Sequence, residues 1–169
     1  CGDSMELIKL VKKNNPKLLN EKFDFCITSP PYWNQLKRNS LRQKDRTKKG
    51  LDTVYSTSKE DIGNIDDYKK FLIFQKKIFD NFFKIMKNKA YLVVITNNVF
   101  FDGKIYPLAF DTFNSLASGT CAWIGKDEQI WCQDDKSLAV LGVNNAYVGN
   151  RHHQYCLIFR KEIDERKKT

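Results

Sequence analysis

The chain has 169 residues, a net charge of +9 at pH 7, 41% hydrophobic residues and 13% aromatic residues. This length suits one domain with a real core and is too short for two ordinary domains, and the apolar content excludes a disordered chain. No apolar stretch approaches the ~20 residues that span a bilayer, so we expect a cytoplasmic protein without a membrane partner. The excess of Lys and Arg favours a polyanionic partner such as nucleic acid, although a surface that only maintains solubility fits as well.

The cysteines indicate neither a disulfide framework nor a metal site. Their number, five, is odd, and no pair has the Cys-x-x-Cys spacing. Three of them stand in apolar, strand-like surroundings, where a free cysteine behaves as a small hydrophobic residue. The five are Cys1, Cys26, Cys121, Cys132 and Cys156.

The first predicted element is a helix from Met5 to about Lys13, which Asp3 or Ser4 can cap. Because this pattern follows so closely on the first residue, we interpret the sequence as a C-terminal piece of a longer protein or one partner of a split protein. Residues 160–169 form a charged run that we expect to be solvated.

Residues 23–28, Phe-Asp-Phe-Cys-Ile-Thr, predict a strand that ends at Pro30 and Pro31, since proline cannot donate to a strand ladder. Residues 34–65 lack apolar periodicity and predict a basic, mobile loop within the domain. This charge favours a loop that faces DNA phosphates, and a solvated flexible loop is the alternative. Seven basic residues stand from position 37 to position 49: Lys37, Arg38, Arg42, Lys44, Arg46, Lys48 and Lys49.

The clearest helix is predicted from Asp66 to about Asn88, because large apolar residues recur there at helical spacing. A continuous apolar strand follows at 91–96, a second helix at about 106–117, and two last strands at 129–132 and 155–159. This order implies one α/β domain over residues 1–169, with a three-layer sheet that is parallel at first and closes with an antiparallel pair.

The hexapeptide 28–33, Thr-Ser-Pro-Pro-Tyr-Trp, follows the first strand directly and suits an exocyclic base amine. Such an amine is a poor nucleophile because its lone pair is delocalised into the ring. A hydroxyl and a carbonyl can accept its protons and favour its pyramidal form, and an aromatic ring can stack on a base taken out of the helix. We predict that Ser29 orients the amine, that the carbonyl of Pro30, in the turn completed by Pro31, accepts its second proton, and that Tyr32 holds the base.

This hexapeptide resembles motif IV of S-adenosylmethionine-dependent DNA amino-methyltransferases, in which a first Ser is commoner among the cytosine-N4 enzymes than among the adenine-N6 enzymes. Gly2–Leu7 resembles the family's Gly-Asp segment, and residues 63–68 resemble the start of its next helix. Residues 151–161 resemble its late His-Tyr strand motif, so the resemblance covers roughly residues 2–161.

The resemblance implies a Rossmann-like class I methyltransferase sheet, with S-adenosylmethionine as cofactor and double-stranded DNA as partner. It assigns Asp3 and Thr28 to the cofactor. The substrate contacts that it implies are Trp33, Lys37, Arg38, Arg42, His152 and His153, of which the Trp and the two His also fit packing or surface roles.

One part of the family pattern is missing. The family carries a Phe-x-Gly-x-Gly loop after its first strand, and no two of the eight glycines of this chain are separated by one residue. The sheet is therefore expected to be partial, with the first βα units supplied upstream in the same protein or by another chain, unless the sequence is a decayed fragment. Alone, the chain should bind the cofactor weakly or not at all.

The leading hypothesis is a fragment of a site-specific DNA cytosine-N4 methyltransferase of a prokaryotic restriction-modification type, associated with the nucleoid when bound to DNA. Adenine-N6 methylation is the near alternative, because one Ser does not physically discriminate the two bases. A different class of function is a non-catalytic nucleic-acid-binding remnant of the fold.

Overall fold

The computed structural model describes residues 2–33, 44, 47–51, 56, 61–133 and 152–163. Short 3-10 helices at Ser4–Glu6 and Ile62–Asn64 accompany longer elements that we number in chain order. The helices are α1 (Leu7–Asn14), α2 (Leu18–Glu21), α3 (Tyr68–Ile85) and α4 (Leu108–Leu116). The strands are β1 (Phe23–Thr28), β2 (Met86–Thr96), β3 (Val99–Phe101), β4 (Lys104–Tyr106), β5 (Ile124–Cys132) and β6 (His153–Arg160).

The N-terminal segment confirms the predicted capped helix. The Asp3 carboxylate accepts a hydrogen bond from the Met5 amide at 2.8 Å, and one 3-10 turn leads into α1. The half-buried Leu7, Leu10 and Val11 lie on one side of α1, as their helical spacing dictates. The helix ends before Pro16, because a proline disfavours helical backbone in the residue that precedes it. The short helix α2 was not predicted.

The unit β1–α3–β2 follows the predicted order with shifted boundaries. The Asp67 carboxylate accepts from the Lys70 amide at 2.7 Å and so caps α3, as Asp commonly does. The prediction carried this helix to about Asn88, whereas β2 already begins at Met86. Met86 is only 1% exposed and pairs with Phe23, so its burial in the sheet outweighs any tendency to prolong the helix.

The main sheet has the strand order β1-β2-β6-β5. The pair β1–β2 is parallel, and the pairs β2–β6 and β6–β5 are antiparallel. This arrangement confirms a mixed α/β sheet that starts parallel and closes with antiparallel strands. Within the described residues, β1 forms one edge and pairs only with β2.

One face of the sheet is covered by α3 and α4. Leu92 pairs with Phe159 and Val94 with Leu157, so these fully buried side chains lie on the same face. Each such side chain stabilises the fold by about 1.5–3 kcal/mol relative to its exposed state. The helices and the following loop complete this core with Phe79, Phe83, Leu116 and Trp123.

The opposite face, which we call the uncovered sheet face, is also apolar. On β1, β2 and β6 this face alternates with the first one and includes Phe25, Ile27, Tyr91, Val93, Ile95 and Ile158, together with Cys156 and Arg160. The side chains of Phe25 and Ile27 on β1 are 56% and 58% exposed. Among the described elements, the long helices α3 and α4 pack on the first face. The helical layer that a three-layer architecture would place on this second face remains a prediction.

A two-stranded sheet, β3–β4, was not predicted, although the sequence signals it. Asp102 and Gly103 lie between the strands with φ angles of 48° and 72°. Two consecutive positive φ values are typical of the type I′ hairpin turn, for which Asp-Gly is a preferred sequence. The hairpin supports a second buried cluster, which contains Trp33, Phe71 and Val99.

The expectation that residues 160–169 are solvated is wrong at Lys161, which is only 2% exposed. Its ammonium donates to the carbonyl oxygens of Phe83 and Met86, the latter at 2.7 Å. These carbonyls lie at the end of α3 and the start of β2, where a helix leaves acceptors without intrahelical partners. A buried cation at the negative end of the helix dipole therefore joins three elements.

Candidate active site

A cavity of about 490 Å³ opens beside the C-terminal end of β1. Ligands of parallel α/β sheets commonly bind at this end of the strands. The polar lining includes Asp3, Thr28, Ser29, Ser56, Asp61 and Gln75. The remaining lining is formed by Gly2, Ser4, Pro30, Pro31 and the apolar side chains Ile62, Ile78, Phe79 and Phe82. The fold therefore gathers the predicted cofactor residues and most of the predicted catalytic residues around one volume.

Glycine at position 2 brings the N-terminal segment to this cavity. A Cβ atom there would lie 2.6 Å from Cδ1 of Leu10, so a larger residue would require the Leu10 side chain to move. The Asp3 carboxylate is held by its bond to the Met5 amide, and its side chain remains exposed. Asp3 thus reaches the cavity from a fixed backbone.

The catalytic residues predicted from the sequence form a compact turn. The hydroxyls of Ser29 and Tyr32 lie 2.9 Å apart, and the Tyr32 hydroxyl donates to Oε1 of Gln154 at 2.9 Å. Pro30 and Pro31 are half-buried between them and line the cavity. Ser29 itself is exposed, so its hydroxyl is accessible to a ligand.

The residues around Gln154 include the two histidines that the resemblance places near the target base. His153 begins β6, its backbone carbonyl accepts from the side chain of Asn97 at 3.0 Å, and its ring lies 5.1 Å from that of Tyr155. The backbone carbonyl of His152 accepts a hydrogen bond from the backbone amide of Gln133. Both histidines are half-buried, and their contact with DNA stays a prediction.

Trp33 lies in the second buried cluster and is only 3% exposed. Its ring centroid is 4.5 Å from that of Tyr106 and 5.0 Å from that of Tyr68, and its indole N–H donates to the Asp66 carbonyl. Its φ of 48° is unusual for a bulky residue, and such strain persists only where the surroundings enforce it. A packing role of Trp33 accounts for these contacts. A contact of Trp33 with the substrate stays a prediction.

The phenol of Tyr68 donates to the Asp111 carboxylate at 2.6 Å. Partial burial, together with this hydrogen bond and the adjacent negative charge, raises the pKa of the phenol well above its usual value. The pair connects α3 to α4 beside the second cluster, so it fixes the helix that carries the cavity wall.

The polar residues of the site that were not predicted include Asp61, Gln75 and Gln154. Asp61 accepts from the Gly63 amide and so caps a 3-10 turn, which is a recognisable local signal. Gln75 is buried in α3, accepts from the Thr112 hydroxyl at 3.0 Å, and keeps an amide nitrogen without a partner among the described residues. No local signal marks Gln154, because its partner Tyr32 is 122 residues away in the sequence.

Three predicted substrate residues, Lys37, Arg38 and Arg42, lie outside the described residues. Lys44, Lys48 and Lys49 of the same segment are described and exposed. In the described part of the chain, no cluster of three or more His, Cys, Asp or Glu side chains could hold a metal ion. No helix of that part is long and apolar enough to cross a membrane.

No family model and no curated protein sequence matches the chain. Its fold matches solved structures of TTHA0409 from Thermus thermophilus, a protein assigned as a DNA modification methylase. The selenomethionine derivative gives a TM-score of 0.56 at 18% identity, over 99% of this chain and 54% of that chain. The complex of that protein with S-adenosyl-L-methionine gives 0.58 at 19% identity, over 100% of this chain and 57% of that chain.

The likeness is one of fold. The chain spans just over half the length of these structures. Its main sheet, its helices and the turn at residues 29–32 fall within the shared part.

Proposed function

We propose that this chain carries the target-base side and part of the cofactor site of an S-adenosylmethionine-dependent DNA amino-methyltransferase, with cytosine N4 as the favoured acceptor. The observation that carries the proposal is the cavity at the end of β1, around which Asp3, Thr28 and Ser29 come together with both prolines. The fold shared with a methylase whose structure contains S-adenosyl-L-methionine supports the same conclusion.

The cavity fits the cofactor in its chemistry. The carboxylates of Asp3 and Asp61 can accept hydrogen bonds from hydroxyl or ammonium groups, and Phe79 and Phe82 offer an apolar wall for an adenine ring. The buried amide of Gln75 has a nitrogen that still lacks a partner among the described residues. When bound, S-adenosylmethionine supplies an electrophilic methyl group.

The residues of this chain act on the amine. The Ser29 hydroxyl and the Pro30 carbonyl accept its protons, which favours the pyramidal nitrogen whose lone pair attacks the methyl carbon. The Tyr32 ring stacks on the base, with its position fixed by hydrogen bonds at its hydroxyl. In this transfer the N–CH3 bond would form as the S–CH3 bond of the sulfonium breaks and leaves a neutral thioether, the amine would lose one proton to water, and no covalent bond to the protein would form. Catalysis arises from positioning and directed hydrogen bonds.

We also propose a place for the segment that carries the glycine-rich loop. Among the described residues β1 pairs only with β2, so its other edge can pair with a further parallel strand, and the uncovered sheet face can receive a helix that follows it. Phe25 and Ile27 lie where both contacts would meet. This chain covers 57% of the chain in the S-adenosyl-L-methionine complex, and the rest of that chain has no counterpart here.

The deciding experiment is a methylation assay with the native protein that contains these residues, duplex DNA and S-adenosylmethionine. Digestion of the DNA to nucleosides and mass spectrometry would reveal N4-methylcytosine if the favoured assignment holds and N6-methyladenine if the alternative holds. We expect Ser29→Ala to lower the rate by at least tenfold, as a lost transition-state hydrogen bond does. Unchanged activity in this variant would contradict the mechanism.

The non-catalytic alternative makes a different prediction. A nucleic-acid-binding remnant would shift labelled duplex DNA in a salt-dependent manner, through its basic segment, without forming a methylated base. A calorimetric titration of the 169-residue chain with S-adenosylmethionine adds a second check. We expect weak or no binding, and tight binding would show that the cofactor site needs no further segment.

A further inference from the structure

A chain of polar groups connects the turn after β1 to the start of strand β6. Ser29 Oγ lies 2.9 Å from the Tyr32 hydroxyl, and that hydroxyl lies 2.9 Å from Oε1 of Gln154. Ser29 is exposed at the cavity, while Tyr32 and Gln154 are half-buried. The chain therefore runs from the accessible end at Ser29 to an anchored end at Gln154.

The number of protons fixes the direction of these hydrogen bonds. A tyrosine hydroxyl has one proton, and in this structure it points to the amide oxygen of Gln154. The 2.9 Å contact with Ser29 then needs the serine as donor, so Ser29 gives its own proton to the Tyr32 oxygen. Both protons are thereby directed away from the cavity, and the lone pairs of Ser29 Oγ remain as acceptors.

This direction matters for an amine substrate. An exocyclic amine presents N–H groups, which need an acceptor at Ser29. If Gln154 did not accept the tyrosine proton, Tyr32 could donate to Ser29, and the serine proton would then be free to turn towards the amine, with one lone pair fewer left to accept from it. A donor facing a donor loses the hydrogen bond and leaves a polar group unsatisfied.

We propose that Gln154 is a positioning residue that acts through Tyr32 and makes Ser29 a hydrogen-bond acceptor for the substrate amine. The assignment rests on the proposed function for the identity of the substrate. The direction of the hydrogen bonds, in contrast, is a property of this chain alone and is tested separately.

The kinetic test compares the native protein with two variants of Gln154 and one variant of its hydrogen-bond partner Tyr32. Gln154→Leu removes the acceptor, and we expect kcat to fall about tenfold, as for the loss of one directed hydrogen bond, with the KM values nearly unchanged. Gln154→Glu keeps an acceptor and should restore most of kcat. Tyr32→Phe keeps the aromatic ring but breaks the chain, so Gln154→Leu should have no further effect in that background.

Gln129→Leu is the matched control, because Gln129 is an exposed glutamine on the adjacent strand β5. A merely structural role of Gln154 would instead lower stability, leave Gln154→Glu as impaired as Gln154→Leu, and make the Gln154→Leu and Tyr32→Phe effects additive. Any of these results, or wild-type kcat in Gln154→Leu, would overturn the proposal.

The second measurement does not depend on activity. In the chain labelled with carbon-13 at the tyrosine ζ position, the Tyr32 signal is assigned by its absence in Tyr32→Phe. We expect it to shift in Gln154→Leu and in Ser29→Ala, to stay near its wild-type position in Gln154→Glu, and to be unaffected by Gln129→Leu. An unshifted signal in Gln154→Leu refutes the hydrogen-bond chain, whereas a wild type that forms no methylated base refutes the proposed function.

Discussion

Lys161 gives the sharpest prediction about the stability of this fold. The Lys161→Met variant retains much of the side-chain length but removes the ammonium that donates to the carbonyls of Phe83 and Met86. Each buried carbonyl that loses its partner costs about 1–3 kcal/mol, and the lost cation at the helix end costs up to about 2 kcal/mol more. Relief from burying a charge offsets part of this loss, since that burial costs several kcal/mol. We expect the free energy of unfolding to fall by about 2 kcal/mol.

The assay is urea denaturation followed by circular dichroism. Lys84→Met is the matched control, because Lys84 is exposed in the last turn of the same helix and should change stability by less than about 0.5 kcal/mol. The Lys161 effect should also persist at high salt, since a buried interaction is screened little. If Lys161→Met were as stable as Lys84→Met, the buried ammonium would not stabilise the junction of α3 and β2.

Two further predictions concern other parts of the structure. Ile27→Lys should change the stability of the isolated chain by less than about 0.5 kcal/mol because Ile27 is 58% exposed, but it should weaken the binding of S-adenosylmethionine by the native protein, measured by calorimetry. Ile73→Lys, at a helix position that is 54% exposed, should be neutral in both measurements, and equal effects of the two variants would argue against a covering segment. Because the pKa of Tyr68 is raised in the folded chain, its stabilisation is complete below the ordinary tyrosine pKa of about 10 and is lost as the pH rises above it, since the unfolded chain ionises first. Urea titrations between neutral pH and high pH should therefore show a steeper loss of stability in the wild type than in Tyr68→Phe, and parallel pH curves would contradict the raised pKa of Tyr68.

The parts of the fold that follow from the sequence are those with a local signal. The strand 23–28 was predicted with the bounds that the structure has, because two prolines follow it closely. Helix α3 was predicted from its periodic apolar residues, but its end was not, because Met86 is held by pairing with Phe23, a contact between distant segments. The Asp102-Gly103 turn carried a local signal that the periodicity argument overlooked.

The candidate site divides in the same way. Ser29 and Tyr32 were identified from adjacent residues in one motif, and the structure places them in hydrogen-bond contact. Gln154 and Lys161 act on partners 122 and 75–78 residues away, and a charged or polar residue near a chain end resembles a solvated one until those partners are known. Their roles depend on how β6 is inserted beside β2, which no local pattern records.

The uncovered sheet face also affects how much of the folded chain persists in a cell. Any segment that binds only the folded form stabilises it by mass action, so the folded fraction should rise with the concentration of that segment. Copies without such a segment would expose a free strand edge beside Phe25 and Ile27, which invites edge-to-edge association and proteolysis. If such a segment exists, the amount of this chain that survives quality control would follow the supply of that segment.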